Sequence, residues 1–174
     1  MEMKMKDVLQ ATSFRFNKAL GQNFISDTNL LKGIVTDSGI TPDDVVVEIG
    51  TGAGTLTRQI ASVAKQVYSF EVDQNLIPVH ELSLSGIDNL QVIFRDVPKM
   101  KDDEFKSIVG EGEFKVVANL PYYITTPLIM RFLESDLNVT SLTIMVQEEV
   151  GRRLVAKPNT ADYSAITLAV LLRG

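Results

Sequence analysis

The sequence predicts an α/β fold in which helices cover both faces of a parallel sheet. Strand-like and helix-like segments alternate along the chain, which is typical of parallel strands joined by helical crossovers. The strand-like segments are continuously apolar and rich in β-branched residues, as expected for strands buried on both faces. A chain of 174 residues is also long enough to form one domain with its own core.

The elements follow from these patterns in chain order. Five segments are predicted as buried strands, and they lie at residues 45–49, 67–72, 90–94, 114–118 and 142–146. Seven segments are predicted as helices, and they lie at residues 5–11, 27–38, 55–63, 73–84, 102–109, 127–134 and 148–156. The helix at 127–134 is predicted to begin at Pro127, because proline suits a first helical position, with Thr125 or Thr126 as its N-cap. The apolar segment 163–172 fits a helix or a sixth strand, and we expect a helix.

Composition and charge exclude several classes of site. The chain has no cysteine and a single histidine, His80, so disulfides and thiolate metal sites are excluded and no metal site is predicted. His80 itself is predicted to be a surface residue. The net charge of −5 argues against a nucleic-acid partner, but residues 1–24 and 150–174 each carry more basic than acidic side chains. Charge alone therefore does not decide whether the protein binds a nucleic acid. The absence of a signal sequence at the start predicts a soluble, cytoplasmic protein.

A glycine-rich turn follows the first strand. Gly50, Gly52 and Gly54 stand between that strand and the next helix, where glycines allow a sharp bend and a close approach to a ligand. A dinucleotide fingerprint would place its third glycine at position 55, which is threonine. The G-x-G-x-G spacing, with Glu48 just upstream, is instead typical of class I methyltransferases, whose Rossmann-like sheet binds S-adenosyl-L-methionine. A tight turn in an unrelated α/β protein is the alternative.

Two acidic residues are predicted at the same edge of the sheet. Glu71 ends the second strand about 20 residues after Gly50, where a carboxylate can accept hydrogen bonds from ribose hydroxyls. Asp73 is expected to cap the following helix. Asp96 follows the third strand and is placed to accept a hydrogen bond from an adenine amino group. Ordinary solvated carboxylates at strand ends are the alternative interpretation of Glu71 and Asp96.

The fourth strand ends in Asn119-Leu120-Pro121-Tyr122. The exocyclic nitrogen of adenine is a poor nucleophile, because its lone pair is delocalised into the ring. The Asn119 side-chain oxygen and the Leu120 carbonyl are two acceptors that can hold both amino hydrogens, while Pro121 stiffens the turn and Tyr122 stacks on the base. Catalysis would then rest on positioning and electrostatics. The alternative is a strand-to-helix turn with a buried tyrosine.

With these residues the chain resembles the small-subunit ribosomal RNA adenine N6,N6-dimethyltransferases, the kasugamycin-sensitivity enzymes. The stretches that carry the resemblance are residues 18–24, 48–57, 119–127 and 146–150 with Arg153-Leu154. The resemblance implies that Asn23, the backbone of Ile25, Gly50, Gly52, Glu71, Asp96 and Asn119 contact S-adenosyl-L-methionine. It also implies methylation of two adjacent adenosines near the 3′ end of small-subunit rRNA, on the assembling subunit, by a monomer.

The sequence departs from the family pattern in three places. Thr51 stands where proline is usual, and Ile25 replaces leucine. The chain also ends before the family's last two strands and its basic helical domain. We therefore expect residues 1–174 to be the cofactor-binding catalytic domain of a longer protein, which binds cofactor more readily than it methylates RNA.

RNA contacts and competing functions remain open at this point. Arg15, Lys18, Arg152 and Arg153 are the candidate RNA-binding residues, and the alternative for the last two is a solvated helix face. Phe14 is expected to pack in the core. A large-subunit methyltransferase of the macrolide-resistance type and a non-catalytic rRNA-binding assembly factor are the alternative functions.

Overall fold

The centre of the fold is a five-stranded sheet in which every pairing is parallel. The fold comes from a computed structural model that describes residues 5–14 and 25–173. The strands are numbered in chain order and lie at β1 Val45–Ile49, β2 Gln66–Glu71, β3 Leu90–Phe94, β4 Phe114–Asn119 and β5 Val139–Met145. Their order across the sheet is β3-β2-β1-β4-β5, which confirms the predicted parallel α/β fold. The order reverses direction between β1 and β4, where open α/β sheets bind ligands.

Eight α-helices are present in the part of the chain that the structure describes. They are α1 Met5–Ala11, α2 Thr28–Asp37, α3 Thr55–Ala61, α4 Ile77–Ser83, α5 Asp102–Val109, α6 Tyr122–Leu133, α7 Glu148–Leu154 and α8 Ala165–Arg173. The last apolar segment is therefore a helix, as expected. Asp73 accepts a hydrogen bond from the Asn75 backbone N–H, so the prediction that it caps the next element is also confirmed. Over residues 5–14 and 25–173, no helix has the length and apolar character needed to span a membrane.

The predicted start of the sixth helix was wrong. Helix α6 begins at Tyr122, directly after Pro121, and Pro127 lies inside it. Pro121, with φ −57° and ψ 146°, takes the N-cap position, so the turn after β4 continues into the helix without a separate loop. Thr125 is consequently interior and buried, and its hydroxyl donates to the Pro121 carbonyl at 3.3 Å instead of capping the helix. Thr126 is likewise a helix-interior residue.

Helices cover both faces of the sheet, and β1 shows this by alternation. Val47 and Ile49 face a core shared with α5 and α6, whereas Val46 faces a core shared with α2 and α3. The first core contains a cluster of phenylalanine rings, with Phe105 at 5.6 Å from Phe70 and 5.5 Å from Phe114 between ring centroids. Burial of this aromatic surface anchors the helices against the strands.

A third, smaller core lies beside the glycine turn. Val8 of α1, Ala53, Leu76 and Val79 are buried together, and Phe14 packs against them as expected of a core residue. Because Ala53 belongs to the glycine turn, this cluster attaches the turn to α1 and α4.

Candidate functional site

A cleft of about 590 Å³ opens at the carboxyl edge of the sheet, next to the ends of β1 and β4. Its volume lies within the range of small-molecule sites. The cleft is lined by the described residues that the sequence predicted for the site, which are Ile25, Gly50, Gly52, Glu71, Asp96, Asn119, Leu120 and Pro121. The glycine turn and the tip of β4 therefore share one ligand-sized space, as predicted. Asn23 falls outside the described residues.

Gly50 brings the glycine turn against the tip of β4. Its φ is +88°, and a Cβ placed on it would lie 3.2 Å from the Asn119 carbonyl oxygen and 3.3 Å from Leu120 Cδ2. A side chain here would be strained by the backbone conformation and would also press on the β4 tip. The parallel register, with Ile49 opposite Ala118, produces this close approach.

Glu71 ties the glycine turn to the end of β2. Its carboxylate is 7% exposed, and Oε2 accepts the Gly52 N–H at 2.9 Å. Oε1 accepts the backbone N–H groups of Val72 and Asp73 at 2.8 and 3.0 Å. Because an ionised carboxylate offers about four acceptor positions, one position on Oε2 is left for a ligand. Glu71 is thus held by the backbone and still has acceptor capacity in the cleft.

Glu48 lies beneath the turn and is fully buried. Its Oε2 accepts hydrogen bonds from the hydroxyls of Thr57 at 2.6 Å and Ser69 at 2.5 Å, while Oε1 has no partner among the described residues. Burial is the main cause that raises the pKa of Glu48 to about 7. The two hydroxyl hydrogen bonds lower this pKa, and the charge of Glu71 raises it by a smaller amount. The Thr51 hydroxyl, at the position where the family usually has proline, is 2.7 Å from the Ser69 hydroxyl. Glu48 is therefore an internal anchor of the turn.

His80 was predicted to be a surface residue, and that prediction was wrong. The side chain is 7% exposed, its Nε2 lies 2.7 Å from the Gly52 carbonyl oxygen, and its ring stacks on Phe94 at 5.7 Å. Burial lowers the pKa of the imidazole below its usual value, so the neutral ring donates from Nε2 to the carbonyl. The signal was present in the sequence, because Leu76, Val79 and His80 recur at the spacing of one helix face.

Asp96 and Ile25 also line the cleft. Asp96 follows β3, and its carboxylate pairs with Lys99 Nζ at 2.5 Å on the exposed side. The Ile25 carbonyl accepts the hydroxyl hydrogen of Thr55, the first residue of α3, at 2.8 Å. This bond attaches the segment before α2 to the helix that follows the glycine turn.

The tip of β4 forms the other side of the cleft. Asn119 is half-buried, and its side chain forms no hydrogen bond within residues 5–14 and 25–173, which leaves its amide available. The Leu120 side chain is anchored in the core shared with α5 and α6. Tyr122 begins α6, and its side chain is not among those that the structure describes. The lining residues that were not singled out from the sequence include Tyr123, which is 64% exposed, and Gln147, which precedes α7.

The two candidate RNA-binding residues that the structure describes, Arg152 and Arg153, do not line the cleft. Arg152 and Arg153 are exposed on α7, and Arg152 pairs with Glu148 at 2.5 Å one turn earlier. That ion pair partly neutralises the local charge. Arg15 and Lys18 lie outside the described residues.

Comparison with known proteins gives consistent matches. The family model "Ribosomal RNA adenine dimethylase" matches residues 13–172. The chain is 46% identical over 166 residues to Ribosomal RNA small subunit methyltransferase A of Clostridioides difficile (strain 630), covering 95% of this chain and 57% of that protein. It is 48% identical over 168 residues to the protein of the same name from Alkaliphilus metalliredigens (strain QYMF), covering 96% and 58%. The chain thus spans less than two thirds of the length of these curated relatives.

Solved structures agree with the fold. The crystal structure of 23S rRNA methyltransferase ErmE superposes with a TM-score of 0.67 at 30% identity, covering 81% of this chain and 52% of that chain. The crystal structure of a dimethyladenosine transferase from Plasmodium falciparum superposes with a TM-score of 0.72 at 28% identity, covering 86% and 52%.

Proposed function

Since the chain belongs to the ribosomal RNA adenine dimethylase family, we propose that its protein transfers methyl groups from S-adenosyl-L-methionine to two adjacent adenosines near the 3′ end of small-subunit rRNA. The transfer would go to the N6 amines, during ribosome assembly in the cytoplasm, by a monomer. The observation that carries the proposal is the approach of the Gly50 backbone to the Asn119 carbonyl within one cleft.

The cleft residues fit this cofactor. Gly50 leaves a hollow that a Cβ would fill, and Gly52 and Ile25 line the same space. Glu71 keeps one acceptor position on Oε2 for ribose hydroxyls, and Asp96 supplies an acceptor for the adenine amine. These acidic groups also favour a positively charged ligand. When bound, S-adenosyl-L-methionine supplies a methyl group activated by its sulfonium.

The tip of β4 supports an adenine amine as the acceptor. The Asn119 side-chain oxygen and the Leu120 carbonyl would accept the two amino hydrogens, which directs the nitrogen lone pair toward the glycine turn. Pro121 fixes the backbone between them and the start of α6, and Tyr122 would stack on the base. No strong general base is needed, because the amine becomes acidic only after methylation. Positioning and electrostatics would supply the rate enhancement.

The small subunit is preferred over the large subunit as the source of the RNA. The curated relatives at 44–48% identity carry small-subunit names, whereas ErmE is 30% identical. Arg15, Lys18, Arg152 and Arg153 are proposed as phosphate contacts.

The experiment combines binding with methyl transfer. Calorimetric titration with S-adenosyl-L-methionine tests the cofactor site. Radiolabelled methyl transfer to ribosomal subunits that lack the modification, followed by mass spectrometric mapping, tests the target. Label on two adjacent adenosines of small-subunit rRNA is expected. Label on large-subunit rRNA would favour the macrolide-resistance type, and tight cofactor binding by the full-length protein without transfer to either RNA would count against the catalytic proposal.

A matched pair of asparagine variants sharpens the assignment. Asn119→Ala should lower the transfer rate about 100-fold or more, and should weaken cofactor binding far less, because it removes an acceptor at the target amine. Asn138→Ala is the control, because Asn138 is exposed at the opposite end of the neighbouring strand β5 and bonds to the Glu111 carbonyl. Equal loss of transfer in both variants would contradict the role of Asn119.

A further inference from the structure

The glycine turn is held on both sides of Gly52 by two side chains from different elements. Glu71, at the end of β2, accepts the Gly52 N–H at 2.9 Å. His80, on α4, meets the Gly52 carbonyl oxygen at 2.7 Å. The two peptide groups that flank the Gly52 α-carbon are therefore each fixed by one hydrogen bond, and rotation of either group would break a contact.

Helix α4 is a firm support for this contact. Leu76 and Val79 are fully buried against Ala53 of the turn, and Leu84 packs so closely on Gly54 that an added Cβ would lie 2.6 Å from Leu84 Cδ2. The His80 ring stacks on the Phe94 ring, with 27° between the ring planes. The imidazole position is thus set by packing and not by solvent.

The hydrogen-bond pattern selects one tautomer of His80. Only an N–H can pair with the Gly52 carbonyl oxygen, so Nε2 carries the hydrogen. Nδ1 is buried and has no partner among the described residues. A hydrogen on Nδ1 would leave a buried donor unsatisfied and would also remove the bond to Gly52.

We propose that His80 is a positioning residue for cofactor binding: its Nε2–H holds the Gly52 carbonyl, and the fixed Gly52 N–H in turn aims the Glu71 carboxylate at the ligand. The inference rests on the proposed function for the identity of that ligand. Its physical basis is that Oε2 of Glu71 has two acceptor positions, of which one binds the Gly52 N–H and the other faces the cleft. If the Gly52 N–H shifts, the carboxylate turns with it, and the acceptor position that faces the ligand changes direction.

The first test compares three variants by calorimetric titration with S-adenosyl-L-methionine and S-adenosylhomocysteine. His80→Leu removes the donor but keeps an apolar side chain of similar volume, and it should weaken binding about fivefold to tenfold. His80→Gln carries an N–H at a comparable distance from the main chain and should restore affinity to within about threefold. Glu81→Leu, the same new residue at an exposed position of α4, should leave affinity unchanged.

A double-mutant cycle with Glu71→Gln separates positioning from general structural support. If His80 acts through Glu71, His80→Leu should cost less than about twofold in affinity on the Glu71→Gln background. Equal losses on both backgrounds would overturn the inference, as would wild-type affinity in His80→Leu.

A spectroscopic test needs no variant. His80 is the only histidine in the sequence, so one imidazole signal reports on it. Nitrogen-15 spectra of the wild-type chain should show the Nε2–H tautomer both free and with S-adenosylhomocysteine bound, and the Nδ1–H tautomer would overturn the inference even if His80→Leu failed to fold. Wild-type protein that binds neither ligand would overturn both this inference and the proposed function. Binding that is insensitive to His80 would overturn this inference alone.

Discussion

The buried carboxyl of Glu48 should make the free energy of unfolding fall as the pH rises. Glu48 is fully buried, and burial raises its pKa from 4.5 to about 7. The folded protein therefore holds a proton on this group between those two pH values, whereas the unfolded chain releases it. The stabilisation that comes from the protonated form is complete below pH 4.5 and is lost as the pH passes 7.

The size of the effect follows from the two pKa values. Linkage over the interval between pH 5 and pH 8 gives a loss of about 2.5 kcal/mol from this single group. Glu48→Gln keeps an acceptor for Thr57 and Ser69 and mimics the protonated carboxyl, so the variant should escape the loss. Between pH 5 and pH 8, the free energy of unfolding of the variant should therefore rise by about 2.5 kcal/mol relative to that of the wild type.

Urea denaturation followed by circular dichroism, in steps from pH 5 to pH 8, measures this difference. The titration of all other groups is common to both proteins and cancels in the comparison. Glu113→Gln, a change at an exposed glutamate, is the control, and its difference from the wild type should be flat with pH. A Glu48→Gln difference that varies by less than about 0.5 kcal/mol over this range would refute the reasoning from burial.

Three further variants test packing by the same denaturation assay. Phe105→Ala should lower the free energy of unfolding by about 3–5 kcal/mol, because the ring is fully buried between Phe70 and Phe114, and a loss under about 1.5 kcal/mol would contradict this. Gly33→Ala should raise it by about 1 kcal/mol, because the added Cβ in α2 meets nothing within 4 Å; a decrease would count against it. Gly54→Ala should lower it by about 2 kcal/mol or more, because φ is +84° and Leu84 is in the way, and an unchanged value would show that the turn relaxes freely.

The strands, the shared edge of the sheet and the Asp73 cap could be predicted from the sequence, because they depend on neighbouring residues or on general rules for parallel sheets. Continuous apolar runs predicted all five strands, and the rule that parallel strands end at one edge brought Gly50, Glu71 and Asn119 into one cleft. Asp73 was predicted as a cap because capping depends on neighbours in the chain.

The errors have two origins, which are contacts between distant parts of the chain and one local signal that was assigned to the wrong residue. The spacing of Leu76, Val79 and His80 indicates that His80 is buried, but its partner, the Gly52 carbonyl, is a backbone atom of another element that the sequence does not identify. The start of α6 was misplaced because Pro127 and the threonines before it resemble a helix start, whereas the helix begins directly after the turn at Pro121 and buries Thr125 near its first turn. The hydroxyl partners of Glu48, Thr57 and Ser69, come from α3 and β2 and could not be paired by spacing alone.

The strand order also bears on how the molecule assembles. Strand β1 pairs Val46 with Val67 across a short stretch of chain, but it pairs the same residue with Lys115 only after β2, β3 and their helices have been passed. Closing the longer loop carries the larger entropic penalty, so we expect β1 to pair with β2 before it pairs with β4. The glycine turn can therefore form before Asn119 lies beside it, and affinity for a ligand that contacts both would report the pairing of β1 with β4.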